Sequence, residues 1–396
     1  MDTNFKGIES LTDEVLGEIL HRLPYRFLIQ CKSISKQFLR VISDPSLLNP
    51  GHRCHNQSLP TTFETHTQFL LFHFHFNSGS NYDKIMLLSV DSNNKTHVLR
   101  GSDFLPRCWA QDCDRVRVRA AHHDLVLCST HKDSYTHYFV CNPFTKQFVA
   151  LPSIKKSHGK ELVRVGFICD QSRSRFRVLH IPIDCFKYVS KFKVNMFSSE
   201  TAEWAAFNVN IPGGEMLMSN SCSRNILVYN GKLVWWMKER GFFVCDPFNG
   251  GDSIWHIAPM SSLCPLIEGS QWDIHTGICD GRIKTCVFSK SVSDSVIYRL
   301  VNLEQGKWSV GHYKFEARGI GIHNMNLLAF HPDCGYKMYF HSKKGVFLCD
   351  YENRKMDCVF KTPEGEDIRI LDNVMSLVLS GRPTTVPTLN TTKLQQ

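Results

Sequence analysis

The chain has 396 residues, of which 42% are hydrophobic and 21% charged, and it contains 27 Phe, 11 Tyr and 7 Trp. This balance excludes an intrinsically disordered chain, a collagen and a coiled coil. Because the length exceeds the roughly 250 to 300 residues that one core serves, we expect one small and one large unit, or a repetitive architecture. The net charge of +9 fits an acidic partner or simple solubility, and it does not bear on the fold.

The apolar runs are short, and none approaches the roughly 18 residues that a membrane helix needs. The N-terminal residues lack the basic and apolar regions of a secretory signal, so we expect a soluble protein of the nucleus or cytoplasm. The 16 cysteines are scattered without a C-x-x-C pair. Reduced and mostly buried thiols are therefore favoured over a disulfide framework or a zinc ribbon.

The first fifty residues predict a small helical unit. Thr12 is suited to cap a helix and Pro24 blocks its continuation, and between them apolar residues recur at helical spacing. These residues are Val15, Leu16, Ile19, Leu20 and Leu23. Two more short helices are expected before Asp44-Pro45. So small a unit cannot bury all its large side chains, so it either packs on the rest of the chain or docks onto another protein.

The stretch LTDEVLGEILHRLPYRFLIQCKSISKQFLRVISDP, from residue 11 to 45, resembles the F-box of plant proteins without a gap in spacing. Three positions depart from the pattern: Thr12 replaces the usual first proline, Cys31 stands where an aromatic residue is common, and Phe38 occupies the usual tryptophan position. Each departure keeps a cap or an apolar group. The likeness therefore covers the whole predicted helical unit.

The resemblance implies that this unit binds an SKP-type adaptor and, through it, a cullin–RING scaffold. Leucine and isoleucine anchors would enter an apolar groove, with the Leu-Pro corner setting the angle between helices. The expected adaptor-binding residues are Leu11, Leu16, Ile19, Leu20, Leu23, Pro24, Leu28, Ile29, Ile34 and Phe38.

The remainder of the chain repeats. Six times an apolar strand enters an Asp, Asn or Ser turn and returns at a large apolar residue, at intervals of 48 to 56 residues. The return positions are Val98, Phe148, Trp204, Trp255, Trp308 and Met356. In a second register, Cys141, Cys245 and Cys349 are spaced 104 residues apart, which is two periods. A period near 50 is typical of kelch-type propeller blades. We therefore predict a mainly β protein, a kelch-like β-propeller of about six blades preceded by three helices.

Phrases such as CNPFTKQFVALP (141–152) and LLAFHPDCGYKMYF (327–340) also resemble the F-box-associated, kelch-like region of plant F-box proteins. The predicted organisation is a disordered start at 1–9, an F-box at 10–50, a linker at 51–66, a propeller at 67–380 and a disordered tail at 381–396. Residues 367–379 are expected to complete the first blade.

Motifs for catalysis are missing. There is no G-x-S-x-G elbow, no H-E-x-x-H and no phosphate-binding glycine loop. His73 with His75, and His122 with His123, form pairs without a third ligand specified by spacing. We expect no catalytic, cofactor or metal site, and neither a membrane nor a nucleic acid as partner.

Two arginine stripes alternate as strand residues do, which would place each stripe on one strand face. They consist of Arg115, Arg117 and Arg119, and of Arg173, Arg175 and Arg177. They form either a solvated blade face or a contact for an acidic or phosphorylated target segment. Trp204, Trp255 and Trp308 share a repeat position and are expected in the core. Trp235 and Trp236 should point to opposite faces, which would leave one of them exposed to a partner.

The resemblance implies a substrate-recognition subunit of a ubiquitin ligase, in which the helices bind the adaptor and the propeller holds an unidentified target protein. A propeller that sequesters a protein without ligase assembly is the first alternative, and a propeller enzyme is the second. Adaptor binding separates the first two, and a buried cluster of titratable groups in the central channel would indicate the third. The sequence does not identify the target, because propeller specificity lies in loops without a transferable code.

Overall fold

A computed structural model describes residues 11–21, 31, 34–43, 66–77, 82–90, 97–100, 116–155, 162–183, 188–211, 216–217, 226–237, 241–249, 255–258, 272–289, 294–303, 307–316, 325–332, 334–362, 367–370, 375–380, 384–387 and 389. The chain divides into two compact units. The first comprises Met1–Thr67 with Leu379–Arg382, and the second comprises Gln68–Val378 with Pro383–Gln396. The predicted linker at 51–66 is outside the described residues, apart from His66.

Within the described residues of the first unit the structure gives two helices, α1 (Asp13–His21) and α2 (Lys36–Ser43). The two helices share one buried core, which consists of Leu16, Leu20, Phe38, Val41 and Ile42. Cys31 packs against this core. The helical spacing in the sequence thus predicts α1, and of the predicted stripe Leu16 and Leu20 are buried. The segment between the two helices, which carries Leu23, Pro24, Leu28 and Ile29, lies outside the described residues.

Within the described part of the chain, the second unit contains six antiparallel sheets of four or five strands, here called blades 1 to 6, and one separate two-stranded sheet. Blade 1 contains β1 (His66–Asn77), β2 (Tyr82–Val90) and β3 (His97–Arg100). Blade 2 contains β4 (Arg117–His122), β5 (Leu125–Lys132), β6 (Tyr135–Cys141), β7 (Phe148–Ala150) and β8 (Ile154–Lys155). Blade 3 contains β9 (Leu162–Cys169), β10 (Phe176–Ile183), β12 (Lys191–Ser198) and β13 (Glu203–Asn210), whereas β11 (Tyr188–Val189) pairs with β14 (Met216–Leu217).

Blade 4 contains β15 (Ile226–Tyr229), β16 (Lys232–Met237), β17 (Gly241–Cys245) and β18 (Trp255–Ala258). Blade 5 contains β19 (Trp272–Cys279), β20 (Arg282–Ser289), β21 (Asp294–Asn302) and β22 (Lys307–Glu316). Blade 6 contains β23 (Asn326–Phe330), β24 (Lys337–Ser342), β25 (Gly345–Asp350) and β26 (Lys355–Lys361). The strands β27 (Asp367–Ile370) and β28 (Met375–Ser380) both pair with β1 and join blade 1.

The repeat predicted from the sequence is the repeat of the blades. Each return position lies in the strand at one end of its sheet's main strand order, opposite a residue of the neighbouring strand. The pairs are Leu88 with Val98, Cys141 with Phe148, Phe197 with Trp204, Cys245 with Trp255, Leu300 with Trp308, and Cys349 with Met356. The prediction of a propeller with about six blades is thus confirmed.

The blades pack against one another in chain order. The first strands of blades 2 to 6, which are β4, β9, β15, β19 and β23, contact one another in succession. The C-terminal strand β27 pairs with β1, so that Phe74 lies opposite Ile370 and Asn77 opposite Asp367. The two ends of the propeller sequence thereby share one sheet. This is the blade completion predicted for 367–379.

Blades 3, 4 and 5 each share one buried core with the preceding blade and another with the following blade. Blade 4 shows this most fully, since Trp235 joins the core shared with blade 3 and Trp236 joins the core shared with blade 5. Their exposed fractions are 3% and 1%. The prediction that one of these two tryptophans is exposed to a partner is wrong, because a propeller strand has no solvated face here. Trp204 and Trp255 pack against cores as predicted, while the side chain of Trp308 is outside the described set.

Part of the predicted disordered tail is ordered. Thr384 and Val386 are buried, and Val386 and Leu389 pack with the core shared by blades 2 and 3. The Pro- and Thr-rich composition of this segment predicts disorder. The segment is ordered because its polar groups bind residues that are far away in the sequence. Among the described residues, no helix is long and apolar enough to cross a membrane.

Candidate functional site

Helix α1 carries apolar residues on two faces. Leu16 and Leu20 face the core of the helical unit with exposed fractions of 0% and 1%. Val15 and Ile19, one position earlier in each turn, are 47% and 42% exposed. They are four residues apart and therefore neighbours on the helix surface. The continuous stripe that the sequence suggests is thus split into a core face and an outward face.

The second helical segment repeats this division. Phe38, Val41 and Ile42 are buried, whereas Leu39 is 48% exposed, and Ile34 before the helix is 61% exposed. We call Val15, Ile19, Ile34 and Leu39 the exposed apolar set. Single exposed apolar residues are common in proteins. Four within the described residues 11–21, 31 and 34–43 are notable, because none of them belongs to the buried core described for those residues.

Polar contacts fix the two helices against each other. Gln37 Nε2 donates to Leu11 O at 2.9 Å and to Asp13 Oδ1 at 3.0 Å. Arg40 Nη2 lies 2.6 Å from Asp13 Oδ2. Hydrogen bonds from Arg40 and then from Gln37 lower the pKa of the Asp13 carboxyl, which stays ionised at the positive end of α1. The exposed apolar set is therefore carried on helices held in a defined arrangement.

The predicted adaptor-binding residues fall into different classes. Leu16, Leu20 and Phe38 stabilise the core, so truncating them tests folding rather than docking. Ile19 and Ile34 are exposed, and Leu11 is half-buried. The prediction did not include Val15 and Leu39 among the anchors. Their signal in the sequence is an apolar residue displaced by one position from the buried helical stripe.

The first arginine stripe does not form as predicted. Arg115 lies outside the described residues, and Arg117 is exposed at the start of β4. The register between β4 and β5 shifts between Val118 and Ala120, so a bulge interrupts the alternation at Arg119. Arg119 donates through Nε to Ser129 Oγ at 2.7 Å and through Nη2 to His131 Nε2 at 3.2 Å. It is therefore tied to its own sheet.

The second stripe is also divided. Arg173 and Arg175 lie in the turn before β10, and only Arg177 belongs to the strand. Arg175 Nε lies 2.9 Å from Asp170 Oδ2, and Arg177 Nη2 lies 2.5 Å from Glu200 Oε2. The Arg177 guanidinium also stacks 5.2 Å from the centre of the Phe248 ring. Strict alternation in the sequence thus does not produce one basic strand face, and much of this charge is paired within the chain.

The histidine pairs do not assemble a metal site in the part of the chain that the structure describes, where no group of three potential ligands occurs. Burial lowers the pKa of His122 to about 3 and that of His123 to about 4, with further lowering of both by nearby Arg173. His122 Nδ1 accepts a hydrogen bond from Cys169 N at 3.0 Å. The side chains of His73 and His75 lie outside the described residues.

Two family models match the chain. Residues 8–49 match the F-box domain, and residues 101–271 match the β-propeller described as F-box protein At3g26010-like. The first match contains both described helices, and the second contains the strands of blades 2 to 4. The resemblance recognised in the sequence is therefore confirmed over both units.

Two curated relatives come from Arabidopsis thaliana. F-box protein At5g49610 is 28% identical over 57% of this chain and 58% of its own length. Putative F-box/kelch-repeat protein At3g17540 is 26% identical over 60% of this chain and 56% of its own length. The chain thus matches somewhat more than half the length of each relative. Among solved structures, TolB from Acinetobacter baumannii has a TM-score of 0.37 and 8% identity over 79% of this chain and 66% of its own. That likeness is too low to support a conclusion.

Proposed function

We propose that this chain, whose residues 8–49 match the F-box domain and whose residues 101–271 match an F-box protein β-propeller, is the substrate-recognition subunit of an SKP–cullin–F-box ubiquitin ligase. The observation that carries the proposal is the exposed apolar set on the F-box helices. These four side chains are exposed, whereas their neighbours Leu16, Leu20, Phe38, Val41 and Ile42 form a buried core among the described residues of the unit. A partner with an apolar groove is the chemistry that such a surface fits.

The expected binding energy follows from the exposed area. Burying the exposed half of a Val, Ile or Leu side chain contributes about 1 kcal/mol. Four such residues therefore contribute about 4 kcal/mol before the cost of association. That amount alone does not make a tight complex, so further anchors must contribute. The predicted anchors Leu23, Pro24, Leu28 and Ile29 lie in the segment between the helices and are proposed to supply them.

In this proposal the chain performs no bond chemistry. The F-box attaches it to the adaptor, while the propeller binds a target protein. Holding the target on the same assembly raises the effective concentration of its lysines near the loaded conjugating enzyme. The proposed site of action is the nucleus or cytoplasm.

The test is a titration of the full chain with an SKP-type adaptor. Substitution of Ile19→Ser together with Ile34→Ser should weaken adaptor binding about thirtyfold, since two buried anchors are lost. A matched control, Glu14→Ser with Lys36→Ser, changes exposed polar residues near the same places and should bind as the wild type does. Circular dichroism of both variants checks that the helices persist.

Two outcomes oppose the proposal. Equal adaptor affinity for the apolar and polar variants would remove the exposed apolar set from the interface. Failure of the wild-type chain to bind any SKP-type adaptor would instead favour a sequestering propeller that acts without ligase assembly.

A further inference from the structure

The segment at residues 384–389 is bound to the propeller as a peptide is bound to a receptor. The described residues 384–387 and 389 belong to no strand of any blade. Thr384 and Val386 are nevertheless 9% and 6% exposed. The segment is therefore held by side chains of the propeller rather than by a sheet ladder.

Two buried polar side chains of blade 2 hold Thr384. Asp124 Oδ2 accepts a hydrogen bond from Thr384 N at 2.5 Å, and Asp124 Oδ1 accepts one from the Thr384 hydroxyl. Asn142 Nδ2 donates to Thr384 O at 2.7 Å and to Asp124 Oδ2 at 2.8 Å. Asp124 and Asn142 are completely buried. Together they recognise both the backbone and the hydroxyl of one threonine.

The remaining contacts extend along the segment. Arg173 Nη1 donates to the Thr384 hydroxyl oxygen at 3.3 Å, and Gln147 Oε1 accepts from Val386 N at 3.4 Å. Val386 and Leu389 pack with the apolar core shared by blades 2 and 3. The groove thus combines a polar pocket that binds the Thr384 hydroxyl with apolar contacts to Val386 and Leu389, two and five residues after Thr384.

The hairpins of other blades show that blade 2 departs from the repeat at Asp124. The β15–β16 and β19–β20 hairpins have two-residue loops, Asn230-Gly231 and Asp280-Gly281. The corresponding loop in blade 2 ends in Asp124 instead of glycine. The hairpin does not require this carboxylate, whereas Thr384 uses both of its oxygens.

Asn142 is the second departure. It follows Cys141, as Asp246 follows Cys245 and Asp350 follows Cys349. The shared task of this position is to accept a turn N–H, which Asn142 Oδ1 does from Phe144 and Asp350 Oδ1 does from Asn353. An aspartate would have no N–H to donate and would repel Asp124. Asparagine at position 142 can therefore both accept the turn N–H and donate to the Thr384 carbonyl.

From this geometry we infer that the groove formed by Asp124, Asn142, Gln147 and the core of blades 2 and 3 is a peptide-recognition site. The site selectively binds a segment in which a threonine is followed two residues later by a branched aliphatic residue. Residues 384–387 and 389 of the same chain occupy it, and a target segment of the same chemistry replaces them. That the bound segment belongs to a ubiquitination target rests on the proposed function. Peptide binding at the site does not depend on the adaptor.

The experiment begins with the full chain, so that folding takes place with the segment present. A recognition sequence for a specific protease is inserted between Ser380 and Thr384, and the folded protein is then cut. Exchange of the released segment for a fluorescent synthetic peptide of residues 384–396 is followed by anisotropy. We expect saturable exchange, and binding at least about tenfold weaker for peptides with Thr384→Val or Val386→Ser.

In the variants of the groove, a residue of blade 2 is replaced by the residue found at the equivalent position of another blade. Asn142→Asp and Asp124→Gly should each weaken peptide binding at least about tenfold while the hairpins remain folded. Asp246→Asn, the reciprocal change in blade 4, is the matched control and should leave peptide binding unchanged. Peptides varied at each position of 384–389 should show selection for threonine at the first position and an aliphatic residue at the third.

Several results would overturn the inference. If the cut segment does not exchange, or if the propeller unfolds when it is cut, residues 384–389 are a permanent brace. If all peptides or all receptor variants bind equally, the groove has no threonine specificity. No adaptor is present in this assay, so its failure leaves the proposed ligase function standing, and failure of adaptor binding leaves this site standing.

Discussion

His180 illustrates how the propeller fixes the protonation state of a single residue. The side chain is 3% exposed, and its Nδ1 lies 2.9 Å from the Tyr138 hydroxyl. Burial, followed by the charges of Arg119 and His131, lowers the pKa of His180 to about 4. The imidazole is therefore neutral at pH 7 and shares a hydrogen bond with the Tyr138 hydroxyl.

The lowered pKa of His180 predicts a pH-dependent loss of stability. Between about pH 6.5 and pH 4 the unfolded chain binds a proton at this residue that the folded chain does not. The free energy of unfolding should therefore fall as the pH falls through this window, by about 3 kcal/mol for this residue. His180→Asn should flatten the pH dependence measured by urea unfolding. An unchanged slope in the variant would contradict the assignment, since His122 and His123 titrate in both proteins.

At the scale of elements, the sequence predicts the blades because each repeat carries its own turn and return residue. It does not predict the arginine stripes. Alternation over 115–120 is broken by the bulge at Arg119, and alternation over 173–178 includes a turn in which Asp170 Oδ1 accepts from Ser174 N and Arg175 N. Bulges and side-chain-capped turns are set by neighbouring strands and by local hydrogen bonds, which periodicity does not record.

The double burial of β16 gives a prediction at the same scale. Trp236 lies 5.1 Å from the Phe242 ring and is buried between blades 4 and 5. Trp236→Ala should lower the free energy of unfolding by about 4 kcal/mol, because a large cavity forms in that core. Chemical denaturation measures this value. A loss below about 1 kcal/mol would be the signature of an exposed side chain and would contradict the packing described for this strand.

At the scale of the whole molecule, the sequence predicts a helical unit followed by a propeller whose ends meet in one sheet. It does not predict the order of residues 384–389. Asp124 and Asn142 are 260 and 242 residues away from Thr384, and composition alone makes the segment look disordered. Within the helical unit, the sequence also leaves open which apolar residues form the core, because adjacent positions such as Val15 and Leu16 fit the same stripe.

The central claim is that the F-box end of the chain binds the adaptor and leaves the propeller free for a target. Hydrogen–deuterium exchange of the full chain, with and without a saturating SKP-type adaptor, tests it most directly. The account predicts added protection of amides in α1 and α2 and unchanged exchange in the strands of blades 2 to 6. Protection of the blades with unchanged helices, or no change in either unit, would contradict it.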